Sequence, residues 1–211
     1  MISRELLSAT LDCRQFAALL AADGLTMSRT IFAQAKIEEP EVLRFSRNGW
    51  VPNNDRLPVL IYHGVFEISD ADPAANFEQV FHRSGWSPQR LNGIYDFHHY
   101  HSTAHEVLGI AGGQARIVLG GPNGYELKVS EGDVLVLPTG TGHCRLQSAG
   151  DFLVVGGYPP SQSWDICRSA PSQAERERMR TLPFPLSDPL TGPGGALTRL
   201  WCPRMQESAK S

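Results

Sequence analysis

The stretch from Gly93 to Tyr158 leaves this chain little choice of fold. It breaks into short β-rich segments at 93–101, 106–110, 115–120, 125–129, 133–137, 143–148 and 152–158. Turn formers divide them: Gly112-Gly113, Gly120-Gly121-Pro122-Asn123-Gly124, Glu131-Gly132 and Pro138-Thr139-Gly140-Thr141-Gly142. Glycine supplies the positive φ that tight turns need, and proline presets φ. Short strands at this spacing predict an antiparallel sandwich or barrel. A parallel α/β sheet would need helices alternating with the strands, and none fits here. The expected class is mainly β.

The flanking segments are less regular. Residues 57–68 (LPVLIYHGVFEI) form an apolar, β-rich run and predict a further strand. Over 72–84 a helix is expected: Asp72 caps it, Pro73 suits its first turn, and Phe77, Val80 and Phe81 share a face. Ser172 and Glu175 have capping-box spacing, which predicts a short charged helix over 172–180. Residues 182–203 are rich in Pro and Gly and read as an irregular tail anchored by Phe184, Leu186, Leu190, Leu197 and Trp201. An amphipathic helix is expected over 2–22, with Gly24 as its stop and Met27 as an alternative start of the chain. The domain reading is an N-terminal helical extension, 1–29, and one β domain, 30–211, with its core at 57–158.

Charge and cysteine content narrow the partners. A net charge of −3 argues against nucleic acid and anionic membrane surfaces. No run of 18 apolar residues occurs, so no membrane span is expected. Cys13, Cys144, Cys167 and Cys202 lie far apart and form no CxxC pair, which reads as reduced thiols in a cytoplasmic protein.

The segment 93–106 carries the chemistry. Four of the chain's seven histidines fall between His98 and His105, and Glu106 follows. Side chains alternate across a strand, so His99 and His101 share one face while His98 and Tyr100 take the other. Two imidazoles at that spacing can reach one ion. Glu106 lies past a tight turn and can add a carboxylate, and the glycine-rich turn 138–142 can deliver His143 beside them. Burying a carboxylate among histidines is costly unless a cation compensates it. Three imidazoles and one carboxylate suit a single divalent transition-metal ion: Fe, Mn, Ni, Zn, Co or Cu. Six-coordination would leave two positions open, whereas four-coordinate zinc would leave none. Around this set, Tyr95 shares the inward face and is a candidate catalytic residue, as is His105 beside Glu106. Arg145 has the parity of His143 and is a candidate anchor for a substrate carboxylate or phosphate.

These residues resemble the cupin family. Its first motif, G-x5-HxH-x4-E-x6-G, is met at Gly93, His99, His101, Glu106 and Gly113. Its second, G-x5-PxG-x2-H-x3-N, is met at Gly132, Pro138, Gly140 and His143, with Gln147 in place of the final Asn. That last position is not a metal ligand in the family, so only local hydrogen bonding is affected. The stretches 50–64, 93–110, 132–143, 151–159 and 188–197 are similar to the YjlB-like cupins, so the resemblance covers about residues 45–201. It implies a jelly-roll β-barrel, a homodimer, and His99, His101, Glu106 and His143 as metal ligands. The expected function is a metal-dependent enzyme on a small oxygenated metabolite. One branch is isomerisation or epimerisation, the other dioxygen-dependent oxidation. A binding or sensing module without turnover is the alternative from another class.

Overall fold

A computed structural model describes residues 37–66, 72–91 and 93–201. The expected helix over 2–22 and the boundary of the N-terminal extension lie outside the described residues. The elements run in the order β1 (Glu41–Leu43), β2 (Val59–Tyr62), α1 (Pro73–Arg83), β3 (Ser87–Leu91) and β4 (Glu106–Leu119). They continue with β5 (Tyr125–Ser130), β6 (Val134–Leu137), β7 (His143–Tyr158), α2 (Gln173–Thr181) and α3 (Ala196–Trp201). The strands form one antiparallel sheet ordered β1-β2-β6-β4-β7-β3, with β5 also on β4.

Two long strands, β4 and β7, organise the sheet. Each covers what the sequence reads as two short strands. The turn expected at Gly112-Gly113 is instead a bulge within β4: the register slips between the Gly112–Leu153 and Gln114–Ala149 pairs. Gly113 has φ +66°, and a Cβ there would stand 2.7 Å from the Ala149 carbonyl oxygen. Both strands therefore bend at the same place. Before the bend β4 pairs with β6 and β7 with β3; after it β4 takes β5 on its free edge. The sheet curls into a half-barrel.

Each face of the curl has its own core. Inside lie Val59, Ile61, Leu108, Ile110, Leu135, Leu137 and Val154. Outside, Leu60, Tyr62, Val107, Val134, Val136 and Val155 pack under Phe77 and Phe81 of α1 and Leu197 and Trp201 of α3. Strand β2 is buried on both faces, which explains its unbroken apolar run. Helix α1 starts as expected, with the Asp72 carboxylate accepting from Ala75 N–H at 3.0 Å. It presses so closely on the sheet that a Cβ on Gly109 would meet the Phe77 ring at 2.6 Å. The Ser172–Glu175 capping box opens α2.

Three findings depart from the sequence pattern. Residues 93–101 are not a regular strand. His99 makes a single bridge to His143 and Tyr100 a single bridge to Cys167, so the segment changes partner between adjacent residues and builds no ladder on either side. Ser87–Leu91, with a proline and polar residues, is an edge strand on β7 that its composition hides. The tail contains α3, and the fully buried Asp188 ties it down by accepting from the Leu190, Thr191 and Leu197 amides and the Tyr62 hydroxyl. Among the described residues no helix is long and apolar enough to cross a membrane.

Candidate metal centre

The histidines arrive by different routes. His99 and His101 sit on the irregular segment that leads into β4, and Glu106 is the first residue of β4. His143 opens β7 after the turn 138–142. That turn is held from several sides. Asn53 Oδ1 accepts from Gly142 N–H at 3.0 Å, and Asn54 Nδ2 donates to the Thr139 carbonyl at 3.1 Å. Thr139 Oγ1 and Gly140 N–H both donate to the His101 carbonyl, at 2.9 and 2.8 Å. The His99–His143 bridge closes the ring of backbone contacts, with N–H···O distances of 3.2 and 2.9 Å.

The three imidazoles are buried, and their candidate ligand atoms lie within 4.8 Å of one another. Each Nδ1 faces a backbone carbonyl: His99 that of Phe97 at 3.1 Å, His143 that of Thr141 at 3.1 Å, and His101 that of Asp165. A carbonyl only accepts, so each Nδ1 carries a proton, which leaves each Nε2 as the atom that can ligate. Glu106 Oε2 stands 3.4 Å from Nε2 of both His101 and His143. Its partner oxygen, Oε1, accepts from the Tyr158 hydroxyl at 2.7 Å. Oε2 itself is buried without a hydrogen bond. Two donors on one ion at about 2.1 Å each are separated by about 3–4 Å. The three buried imidazoles could hold a metal ion, and Glu106 Oε2 lies beside two of them.

Electrostatics agree with this. Burial lowers the pKa of His99 to about 4 and holds His143 well below its ordinary value. Both are therefore neutral donors at neutral pH. Burial also opposes charge on His101 and Glu106, but their mutual attraction overrides it. His101 is raised, chiefly by the Glu106 carboxylate, and Glu106 is lowered to about 2, chiefly by His101. Without an ion, a proton on this pair neutralises the site; a bound cation would replace it.

A cavity of about 490 Å³ opens onto the imidazoles. Tyr95 and Arg145 both line it. Tyr95 is 44% exposed; its ring stacks on Phe97 at 4.8 Å and meets His99 edge-on at 5.2 Å. His105 does not join them. Its ring is buried beside Trp201, with centroids 4.9 Å apart, and its Nδ1 accepts from Thr139 N–H at 3.0 Å. Burial lowers its pKa to about 3. It supports the turn that delivers His143 rather than facing the cavity.

Sequence comparison agrees with this geometry. Residues 92–156 match the family described as Cupin. The chain is similar to the uncharacterized protein YjlB of Bacillus subtilis (strain 168): 32% identity over 165 residues, covering 77% of this chain and 97% of that protein. This chain is a cupin. Among solved structures, the cupin shares 17% identity and a TM-score of 0.33 with acireductone dioxygenase from Bacillus anthracis, which holds a cadmium ion in its active centre. That match covers 45% of this chain and 64% of the dioxygenase. Oxalate decarboxylase from Bacillus subtilis matches at 20% identity and a TM-score of 0.31, over 58% of this chain and 29% of the decarboxylase.

Several residues of the cupin's site escaped the sequence reading. Tyr158 is one; Trp164 is another, lining the cavity and meeting His101 edge-on at 6.0 Å. Asp165 is a third. Its carbonyl orients His101, while its carboxylate accepts from Ser102 N–H at 2.6 Å and Ser102 Oγ at 2.5 Å. None left a local signal in the sequence. Val107 pairs with Gly157, so the register sets Glu106 beside Tyr158 on one face.

Proposed function

We propose that this cupin holds one divalent transition-metal ion through His99, His101, His143 and Glu106 and acts as an enzyme on a small oxygenated metabolite. The observation that carries the reading is the orientation of the donors. Three Nδ1 atoms point at backbone carbonyls, and Glu106 Oε2 lies buried 3.4 Å from Nε2 of both His101 and His143. Burying three imidazoles and a carboxylate together is costly unless a cation compensates the carboxylate.

When bound, the ion supplies Lewis acidity toward an oxygen-rich ligand and, if redox-active, the electrons for dioxygen chemistry. The residues around it divide the remaining work. Tyr158 holds Glu106, and the Asp165 carbonyl aims His101. Tyr95 brings a phenol hydroxyl to the cavity wall, where it can orient a substrate or move a proton. The open cavity favours turnover over a solid-packed storage or sensing barrel. Isomerisation or epimerisation and dioxygen-dependent oxidation are the two reaction types this donor set serves.

The test is elemental analysis of protein purified without a metal-binding tag. About one equivalent of a transition metal in the wild type, absent from His99→Ala, is expected. Iron, nickel, manganese or copper would direct assays to oxygen consumption, and zinc to isomerase assays under nitrogen. A wild type that holds no metal and takes none up on reconstitution would overturn the proposal.

A further inference from the structure

The cavity holds a second fixed charge besides the ion site. Arg145 lies on β7 two residues beyond His143, and both line the cavity. Roughly 7 Å of strand separates their Cα atoms. The Arg145 guanidinium is tied down by neutral acceptors: Nε donates to the Ile94 carbonyl at 2.9 Å and Nη1 to the Ser148 hydroxyl at 3.0 Å. Among the described residues no acceptor meets Nη2. A half-buried guanidinium fixed in this way keeps its remaining N–H donors for a ligand.

We propose that the cavity binds a short oxygenated dicarboxylate. One carboxylate and an oxygen on its adjacent carbon chelate the ion. The second carboxylate, one or two methylenes away, pairs with Arg145. This deepens the metal-site proposal and rests on it. A metal–oxygen distance of about 2 Å, a short carbon chain and a charge-assisted hydrogen bond of about 2.8 Å make a ligand that a cavity of about 490 Å³ can hold. Ile94 and Leu108 offer that chain an apolar wall. The charge fits as well. A divalent ion with Glu106 leaves one net positive charge, and Arg145 adds another. Among the described residues Arg145 is the one lysine or arginine on the cavity wall, which suits a planar carboxylate better than a phosphate that needs donors on several sides. Asp96 sits on the exposed rim and disfavours a larger polyanion.

Three probes separate head from tail. Malate carries both carboxylates, its 4-amide keeps the same hydroxy-acid head with a neutral tail, and lactate has the head alone. Metal-loaded wild type is titrated with each by calorimetry, and ion content is measured on the same sample. Malate should bind at least tenfold more tightly than either analogue. Arg145→Gln should abolish the difference, and Arg145→Lys should retain part of it. Equal affinities for malate and the amide, no binding of any probe at millimolar concentration, or a preference that survives in Arg145→Gln would each overturn the proposal. The wild-type comparison stands even if a variant fails to fold. A sample that takes up no ion fails the metal-site proposal; a loaded sample without the preference fails only this one.

Discussion

Tyr158 decides which oxygen of Glu106 faces the imidazoles. Its hydroxyl donates to Oε1, so Oε2 is the atom left for an ion. Tyr158→Phe removes one hydroxyl while keeping the ring that stacks near Trp164. The carboxylate then loses its orienting bond, and metal affinity should fall about tenfold, as such supporting contacts usually contribute. Competition with a chromophoric chelator measures this directly. An unchanged affinity would mean that Tyr158 merely packs. The ligands themselves were legible in the sequence because their spacing is local: His99, His101 and Glu106 lie within one turn and its flanks. Tyr158 is 52 residues from Glu106, and only the strand register brings them together. Asn53 and Asn54 clamp the segment before His143 from far away in the sequence, where no local spacing points to them. His105 was drawn into the candidate set by its place next to Glu106. Alternation along the strand sends adjacent side chains to opposite faces, so that proximity in sequence argued against a shared cavity.

The bend shared by β4 and β7 is the element on which the curl depends. Gly113 occupies a left-handed conformation there, against the Ala149 carbonyl and the Phe152 amide. Gly113→Ala puts a Cβ 2.7 Å from that carbonyl oxygen and forces an L residue into φ +66°. The conformational strain alone costs roughly 1–3 kcal/mol. Urea denaturation should show that loss as a lower midpoint at unchanged slope. A variant as stable as wild type would show that the bend tolerates a side chain. This bulge also explains what the sequence pattern misjudged. Glycine pairs mark turns and bulges alike, and only the partner strand distinguishes them. Gly112-Gly113 faces Gly150 across the ladder, so two apparent hairpin breaks are one kink in a continuous strand pair. Elements governed by local chemistry were read correctly: the Asp72 cap of α1, the capping box of α2 and the apolar run of β2. The segment 93–101 was not, because its alternation serves the site rather than a ladder.

At the scale of the whole molecule, the buried imidazoles couple folding, metal and pH. His99 is lowered to about 4 and His105 to about 3, and His143 lies well below the ordinary 6.5. The unfolded chain therefore binds more protons than the folded one below pH 6.5. Their contribution to stability is complete above that value and is lost as pH falls from 6.5 toward 4 and 3. His101, raised by Glu106, contributes with the opposite sign: its share is complete below 6.5 and fades as pH rises through its folded value. The lowered imidazoles, with Glu106 lowered as well, act against the one raised imidazole and predict a melting temperature that falls on acidification. An ion competes with protons for the same lone pairs. At a free-ion concentration a hundred times Kd it should add about 2.7 kcal/mol, which raises the melting temperature by roughly 5–10 °C for a chain of this size. Calorimetric scans with the ion and with a chelator, at pH 7.5, 5.5 and 4, test both couplings together. The gap between the two curves should be widest at pH 7.5 and close by pH 4. Coincident curves at pH 7.5 would remove the metal from the folded state. A gap that stays constant down to pH 4 would place the ion on donors other than these imidazoles.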